Sequence, residues 1–187
     1  MNLYQLWCLK KAKIKFDRLI NCFETNEKVL DIGSGNAALI YLFQQEGINI
    51  QGLDVHNKSA FESIQPMIYD GSKLPFEDDS FDTVQLITVL HHVKDPENLL
   101  MEALRVASRV IVMEDIYENS FQKYMTFFAD SLNNMEFFGH PHTNKTDREW
   151  RQLFIEKDIN LLREGMSHND NFKDNFCEWA VIFAWMS

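Results

Sequence analysis

The chain has 187 residues, 45% hydrophobic and 25% charged, with a formal net charge of −10 and a pI near 5.0. That length suits one domain with a full core, since single domains run to about 100–200 residues. The acidic balance excludes a general nucleic-acid binder, which presents an excess of Lys and Arg to phosphates, and no apolar run reaches the roughly 18 residues of a membrane-spanning helix.

Residues 3–24 read as an amphipathic helix. Leu6, Leu9, Ala12, Phe16, Leu19, Ile20 and Phe23 recur at three-to-four spacing, and Lys10, Lys11, Lys13 and Arg18 occupy much of the remaining surface. The lysines interrupt the apolar stretch a secretory leader needs, so no signal peptide is expected. Five basic residues and one acid lie between 10 and 18, against 13 basic and 27 acidic groups elsewhere. Two readings stand: a helix covering the core or a cofactor cleft with a solvated basic face, or a contact with a membrane surface or a protein partner. Cys8, Cys22 and Cys177 are odd in number and lack C-x-x-C spacing, as expected of free thiols in a reducing, cytoplasmic compartment.

Next comes the segment around which the rest is arranged. The apolar run Val29–Ile32 breaks at Gly33 and Gly35 and resumes at Ala37, Ala38 and Leu39, predicting strand, glycine turn and helix. Glycine is favoured where backbone passes close to a bound group, and the N–H groups of the following helix face the turn. Gly33–Ala38 satisfies the dinucleotide pattern G-x-G-x-x-G/A, with Asp54 19 residues beyond Gly35. Asp31 argues the other way. A carboxylate at the strand end repels a diphosphate and suits a cationic or zwitterionic ligand, which favours S-adenosylmethionine with its sulfonium and amino groups.

Beyond the turn, strands are predicted at 28–32, 48–54, 66–69, 81–87 and 108–114, with helices at 36–46, 57–62, 96–106 and 118–132. This alternation marks a doubly wound α/β sheet. Asp54 ends the second strand, where its carboxylate can accept from both ribose hydroxyls or instead cap the helix at 57–62, and Val55 offers an apolar face to an adenine. Tyr69-Asp70-Gly71 follows the third strand and is at least an Asp-Gly turn. Thr88–Val93 sits at the carboxyl end of the fourth strand, where His91 or His92 would either line the cofactor pocket or act as a general base. Adjacent ring positions point apart on extended chain, so no metal site is expected there. Asp95 and Pro96 open the next helix, whose buried side is predicted to carry Leu99, Leu100, Ala103, Leu104 and Ala107.

Glu114–Tyr117 and the aromatic stretch with Phe121, Tyr124, Phe127, Phe128, Phe137 and Phe138 read either as the acceptor side of a site or as rings packing a helix on the sheet. Gly139–Asn144 is expected to be a loop, with His140 and His142 too few for zinc. Thr146 and Glu149 form a capping-box pattern, and Trp179–Trp185 suits a strand covered on both faces.

Val-Leu-Asp-Ile-Gly-Ser-Gly at 29–35, Gly52-Leu53-Asp54-Val55, Asp70–Phe76, Asp79-Ser80-Phe81-Asp82 and Leu90-His91-His92-Val93 together resemble the class I S-adenosylmethionine-dependent methyltransferases, within the group that includes ubiquinone- and menaquinone-biosynthesis enzymes. The resemblance implies a Rossmann-like sheet, mostly parallel, closed by an antiparallel C-terminal strand and with helices on both faces. It implies a domain over 28–187 preceded by the helix of 1–27. It also implies S-adenosylmethionine contacts from Asp31, Gly33, Ser34, Gly35, Asp54, Val55, Asp70, Gly71, Thr88 and His91, with Asp70 on the adenine amino group. His91 is the catalytic candidate. Ala37 stands where the family has a third glycine. The expected activity is methyl transfer to a small, apolar or aromatic acceptor; the alternatives are a non-catalytic cofactor-binding scaffold or regulatory subunit, and a nicotinamide-dependent oxidoreductase.

Overall fold

The computed structural model describes residues 1–24, 26–116, 145–157, 159–167 and 178–185. Its strands are β1 (Lys28–Ile32), β2 (Asn49–Asp54), β3 (Met67–Ile68), β4 (Phe81–Ile87), β5 (Ala107–Ile116), β6 (Asn160–Ser167) and β7 (Glu178–Trp185). Its helices are α1 (Leu3–Leu19), α2 (Ala38–Gln45), α3 (Pro96–Val106) and α4 (Asp147–Glu156), with 3-10 turns at Ile20–Cys22 and Leu90–His92. The predicted helix at 118–132, the whole aromatic stretch from Phe121 to Phe138, the loop expected at 139–144 with His140 and His142, and Cys177 lie outside the described residues.

The strands form one sheet in the order β3-β2-β1-β4-β5-β7-β6. β1 pairs parallel with β2, and β2 with β3, whereas β7 lies antiparallel between β5 and β6. This is the doubly wound order with a closing antiparallel strand that the sequence predicts. Val29, Leu30, Asp31 and Ile32 of β1 are all buried, as a parallel strand covered on both faces requires.

The chain divides into two compact units, residues 1–85 with 102–109, and 86–101 with 110–187. In the first, Asn2 and Gln5 cap α1 reciprocally, and the Phe16 ring meets Phe43 of α2 with centroids 5.2 Å apart. The Gln5 amide donates to the Ala60 carbonyl at 2.7 Å. Most of the predicted face packs inward, with Phe16 and Leu19 buried and Leu9, Ala12, Ile20 and Phe23 half-buried; Cys8 is buried beside them and Leu6 is exposed. The α-helix also stops at Leu19 rather than at 24.

Arg105 of α3 donates to the Leu74 and Phe76 carbonyls and pairs with Asp78 and Glu102, and Glu102 accepts from the Leu74 N–H. This clamp orders the loop after Asp70 and holds the Arg105 guanidinium strongly protonated, chiefly through Glu102 and then Asp78. In the second unit Asp95 caps α3 through the Asn98 N–H at 2.9 Å. Leu99, Leu100, Ala103 and Leu104 form the predicted buried side of α3, and Ala107, also buried, is instead the first residue of β5. Thr146 and Glu149 form the expected capping box on α4.

The helix predicted at 57–62 does not form; the segment is irregular chain with a bend at Ala60 and a turn beginning at Glu62. The Asn57 side-chain Oδ1 accepts from the Ser59 N–H, and the Ser59 hydroxyl donates to the Phe61 carbonyl and accepts from the Phe61 N–H. Short polar side chains of this kind satisfy backbone groups locally and compete with a helix.

Candidate functional site

Gly33 and Gly35 have φ of +74° and +52°, a region open to glycine at little cost. Ala37 is left-handed too, at φ +59°, and a residue with a Cβ is less favoured there. The turn is stitched to the neighbouring strand, because the Leu53 carbonyl accepts from the Gly33 N–H at 2.8 Å. Gly52, which pairs with Asp31 across the sheet, leaves room for it: a Cβ there would come within 2.9 Å of the Ser34 hydroxyl oxygen and 2.8 Å of Ile40.

Asp54 is the hinge of this cluster. One carboxylate oxygen accepts from the Gly35 N–H at 2.8 Å and the other from the His56 N–H at 3.1 Å. With no helix at 57–62, the capping alternative has no object. Each oxygen retains a second lone pair, so the partly exposed carboxylate can still accept from a diol.

Asp31 is buried and accepts from the Gln85 side-chain amide at 2.8 Å. Burial pushes its carboxyl up to about 7; the Gln85 bond opposes this and the Asp54 charge adds to it. A buried carboxylate with a neutral donor is poorly compensated, and an ammonium group brought against it would restore the anion. The Ser34 hydroxyl and the Gln85 carbonyl oxygen are also buried with no hydrogen-bond partner among the described residues. Unsatisfied polar atoms and a half-compensated carboxylate beside a glycine turn fit a zwitterionic, hydroxyl-bearing ligand such as S-adenosylmethionine.

Asp70 is exposed and accepts from the Ser72 N–H at 2.9 Å and the Ser72 hydroxyl at 2.5 Å, bonds that hold its carboxyl below the usual range. Gly71 has φ +82°, and a Cβ on it would sit 3.2 Å from Val55 Cγ1. Val55 and Gly71 are therefore neighbours, with Asp70 adjoining Gly71 in the chain. Among residues 1–85 the structure thus gathers Asp31, Gly33, Ser34, Gly35, Asp54, Val55, Asp70 and Gly71 along the carboxyl ends of β1, β2 and β3.

The second unit has its own cluster. Thr88, at the end of β4, has φ +56°, a strained conformation for a β-branched residue. Its N–H donates to the Met113 carbonyl at 2.7 Å. Glu114, buried near the end of β5, accepts from the N–H groups of Val89 and Leu90 at 2.8 and 2.7 Å and bonds His91 Nδ1 at 2.5 Å. His91 is 1% exposed. Sequence reasoning gave Glu114 to the acceptor, but its contacts make it the anchor of the 88–92 turn. The available signal was an acid directly after the apolar run Val110–Met113, since a buried carboxylate requires donors.

Comparison with known proteins agrees with this geometry. Residues 30–109 match the methyltransferase-domain family. The chain is 26% identical over 167 residues to a demethylmenaquinone methyltransferase of Renibacterium salmoninarum, covering 85% of this chain and 66% of that protein. It is 29% identical over 100 residues to the one from Tropheryma whipplei, covering 47% and 41%. It therefore spans from two fifths to just under two thirds of the length of these relatives. Among solved structures, the magnesium protoporphyrin IX methyltransferase of Synechocystis with bound SAH superposes with a TM-score of 0.64 at 17% identity, covering 96% of this chain and 83% of that one. This sheet order and glycine turn accompany the match over residues 30–109, so that stretch is similar to the methyltransferase-domain family and the chain shares the fold of the solved methyltransferase.

Proposed function

We propose that the protein transfers a methyl group from S-adenosylmethionine to a small, apolar or aromatic acceptor. The observation that carries this is the Asp54 carboxylate, fixed by the Gly35 N–H at the mouth of the turn and suited to a ribose. Asp31 receives the amino group of the methionyl part, Gly33, Ser34 and Gly35 shape the backbone around it, and Val55, Asp70 and Gly71 hold the adenine. In the second unit Thr88 and His91 take the remaining cofactor assignments. The names of the relatives, which act on demethylmenaquinone, support an apolar acceptor.

The bound donor supplies an activated methyl: its S–C bond breaks with the electron pair passing to sulfur, an acceptor lone pair forms the new bond, and S-adenosylhomocysteine leaves. Alignment and exclusion of water can account for much of the acceleration of such a displacement. The burial of His91 and its bond to Glu114 favour a pocket-lining, positioning role over that of general base.

Titration calorimetry with S-adenosylhomocysteine and with a nicotinamide dinucleotide, followed by transfer of labelled methyl to a panel of phenols and hydroquinones, tests the reading. Binding of S-adenosylhomocysteine with turnover is expected. Binding without turnover across the panel would favour the scaffold alternative, tighter dinucleotide binding the oxidoreductase, and absence of heat with no thermal stabilisation would sink the cofactor assignment.

A further inference from the structure

Helix α1 has a second face that its packing does not use. Its inward line of Cys8, Ala12, Phe16 and Leu19 meets the body of the first unit, with Cys8, Phe16 and Leu19 buried. At 3.6 residues per turn, the opposite direction carries Leu3, Trp7, Lys10 and Ile14. Leu3 is 85%, Trp7 47% and Ile14 52% exposed. Single exposed apolar side chains are ordinary, but here three share one helix face, interrupted by Lys10 and with Tyr4 and Leu6 exposed on its flanks.

This face is bordered by cations. Lys11 lies over the Trp7 ring at 3.9 Å from its centroid, and Tyr4 stacks on Trp7 with centroids 6.1 Å apart. Lys13 stands on the other border, paired with Asp17, the one acid between residues 10 and 18. The remaining 178 residues carry an excess of 14 acidic groups. We propose that the outward face of α1 docks on an anionic phospholipid bilayer, with Leu3, Trp7 and Ile14 at the boundary of headgroups and acyl chains and Lys10, Lys11 and Lys13 on lipid phosphates. Apolar and aromatic residues framed by lysines are what such an interface takes up. Charge complementarity selects this occupant: the acidic remainder is repelled by the same surface while α1 is attracted to it, and pairing α1 with its copy would set lysine against lysine. The inference does not depend on the methyl-transfer reading.

The test is co-sedimentation of the full chain with vesicles of phosphatidylcholine alone or with about a third phosphatidylglycerol, at low and high salt. The chain is expected to partition onto the anionic vesicles on the order of tenfold better than onto the zwitterionic ones, and to come off as salt rises. The double variants Trp7→Ser/Ile14→Ser and Lys10→Glu/Lys11→Glu should each lose that partition with an unchanged melting temperature. No sedimentation of the wild type with anionic vesicles would overturn the proposal, as would variants that sediment equally well. Self-association lost in the same variants, without vesicle binding, would overturn it by giving the face to a second copy.

Discussion

The Gly35 backbone N–H donates to the Asp54 carboxylate across 2.8 Å, joining the turn after β1 to the end of β2. One carboxylate thus holds the turn in shape and presents its remaining lone pairs beside it. Asp54→Ala should weaken S-adenosylhomocysteine binding by roughly ten- to a hundredfold, the worth of hydrogen bonds to a charged acceptor. Calorimetry gives the number. Asp54→Asn, which can keep one acceptor oxygen for Gly35, should recover part of the loss.

Asp31 makes binding depend on pH. Its carboxyl is raised to about 7 by burial, with Gln85 opposing and Asp54 reinforcing. An ammonium ligand favours the carboxylate, so affinity should rise about tenfold per pH unit toward 7 and flatten above it. Below pH 7, calorimetry in buffers of different ionisation enthalpy should register proton release on binding.

The same residue acts on stability with the opposite sign. Between its ordinary value and about 7 the native state binds more protons at Asp31 than the unfolded chain does. Its contribution is therefore full at the acid end and lost as pH rises through 7, on the order of 4 kcal/mol across the window. Asp31→Asn should flatten the pH dependence of the ligand-free melting temperature and raise it at pH above 7, while lowering cofactor affinity.

Glu114 satisfies two backbone N–H groups and His91 Nδ1 away from water. Removing it leaves buried donors unpaired at about 1–3 kcal/mol each, so Glu114→Ala should cost on the order of 4 kcal/mol in urea denaturation. Glu114→Gln keeps an acceptor for the backbone but offers an amide donor to the ring. Nitrogen NMR should then show His91 protonated on Nδ1 in the wild type and on Nε2 in the variant.

Ala37 occupies a left-handed position at φ +59°, where a Cβ costs roughly 1–2 kcal/mol. Ala37→Gly relieves that strain and adds freedom to the unfolded chain. The net change in denaturant stability should be a gain of less than about 1 kcal/mol.

The parts of this protein legible in its sequence are those with local causes. Short segments rich in apolar and β-branched residues between turn signals read as strands, so 28–32 and 81–87 could be placed to the residue. Asp95, Thr146 and Glu149 announce helix starts through bonds spanning three residues, and the glycine turn followed by Asp54 specified the ligand end of the sheet. What the tertiary structure decided depends on residues far apart in the chain. The periodicity of α1 gave most of its inward face, but packing on Phe43 and Ala60 decided its edges, burying Cys8 and leaving Leu6 outward with Trp7. The helix expected at 57–62 gives way to side-chain turns at Asn57 and Ser59. Gln85 on Asp31, Arg105 on the Leu74 and Phe76 carbonyls, and Glu114 on Val89, Leu90 and His91 are pairings across 23 to 54 residues. A sequence shows that a buried carboxylate or an arginine needs partners, but only the folded chain, by bringing strand ends together, determines which groups those are.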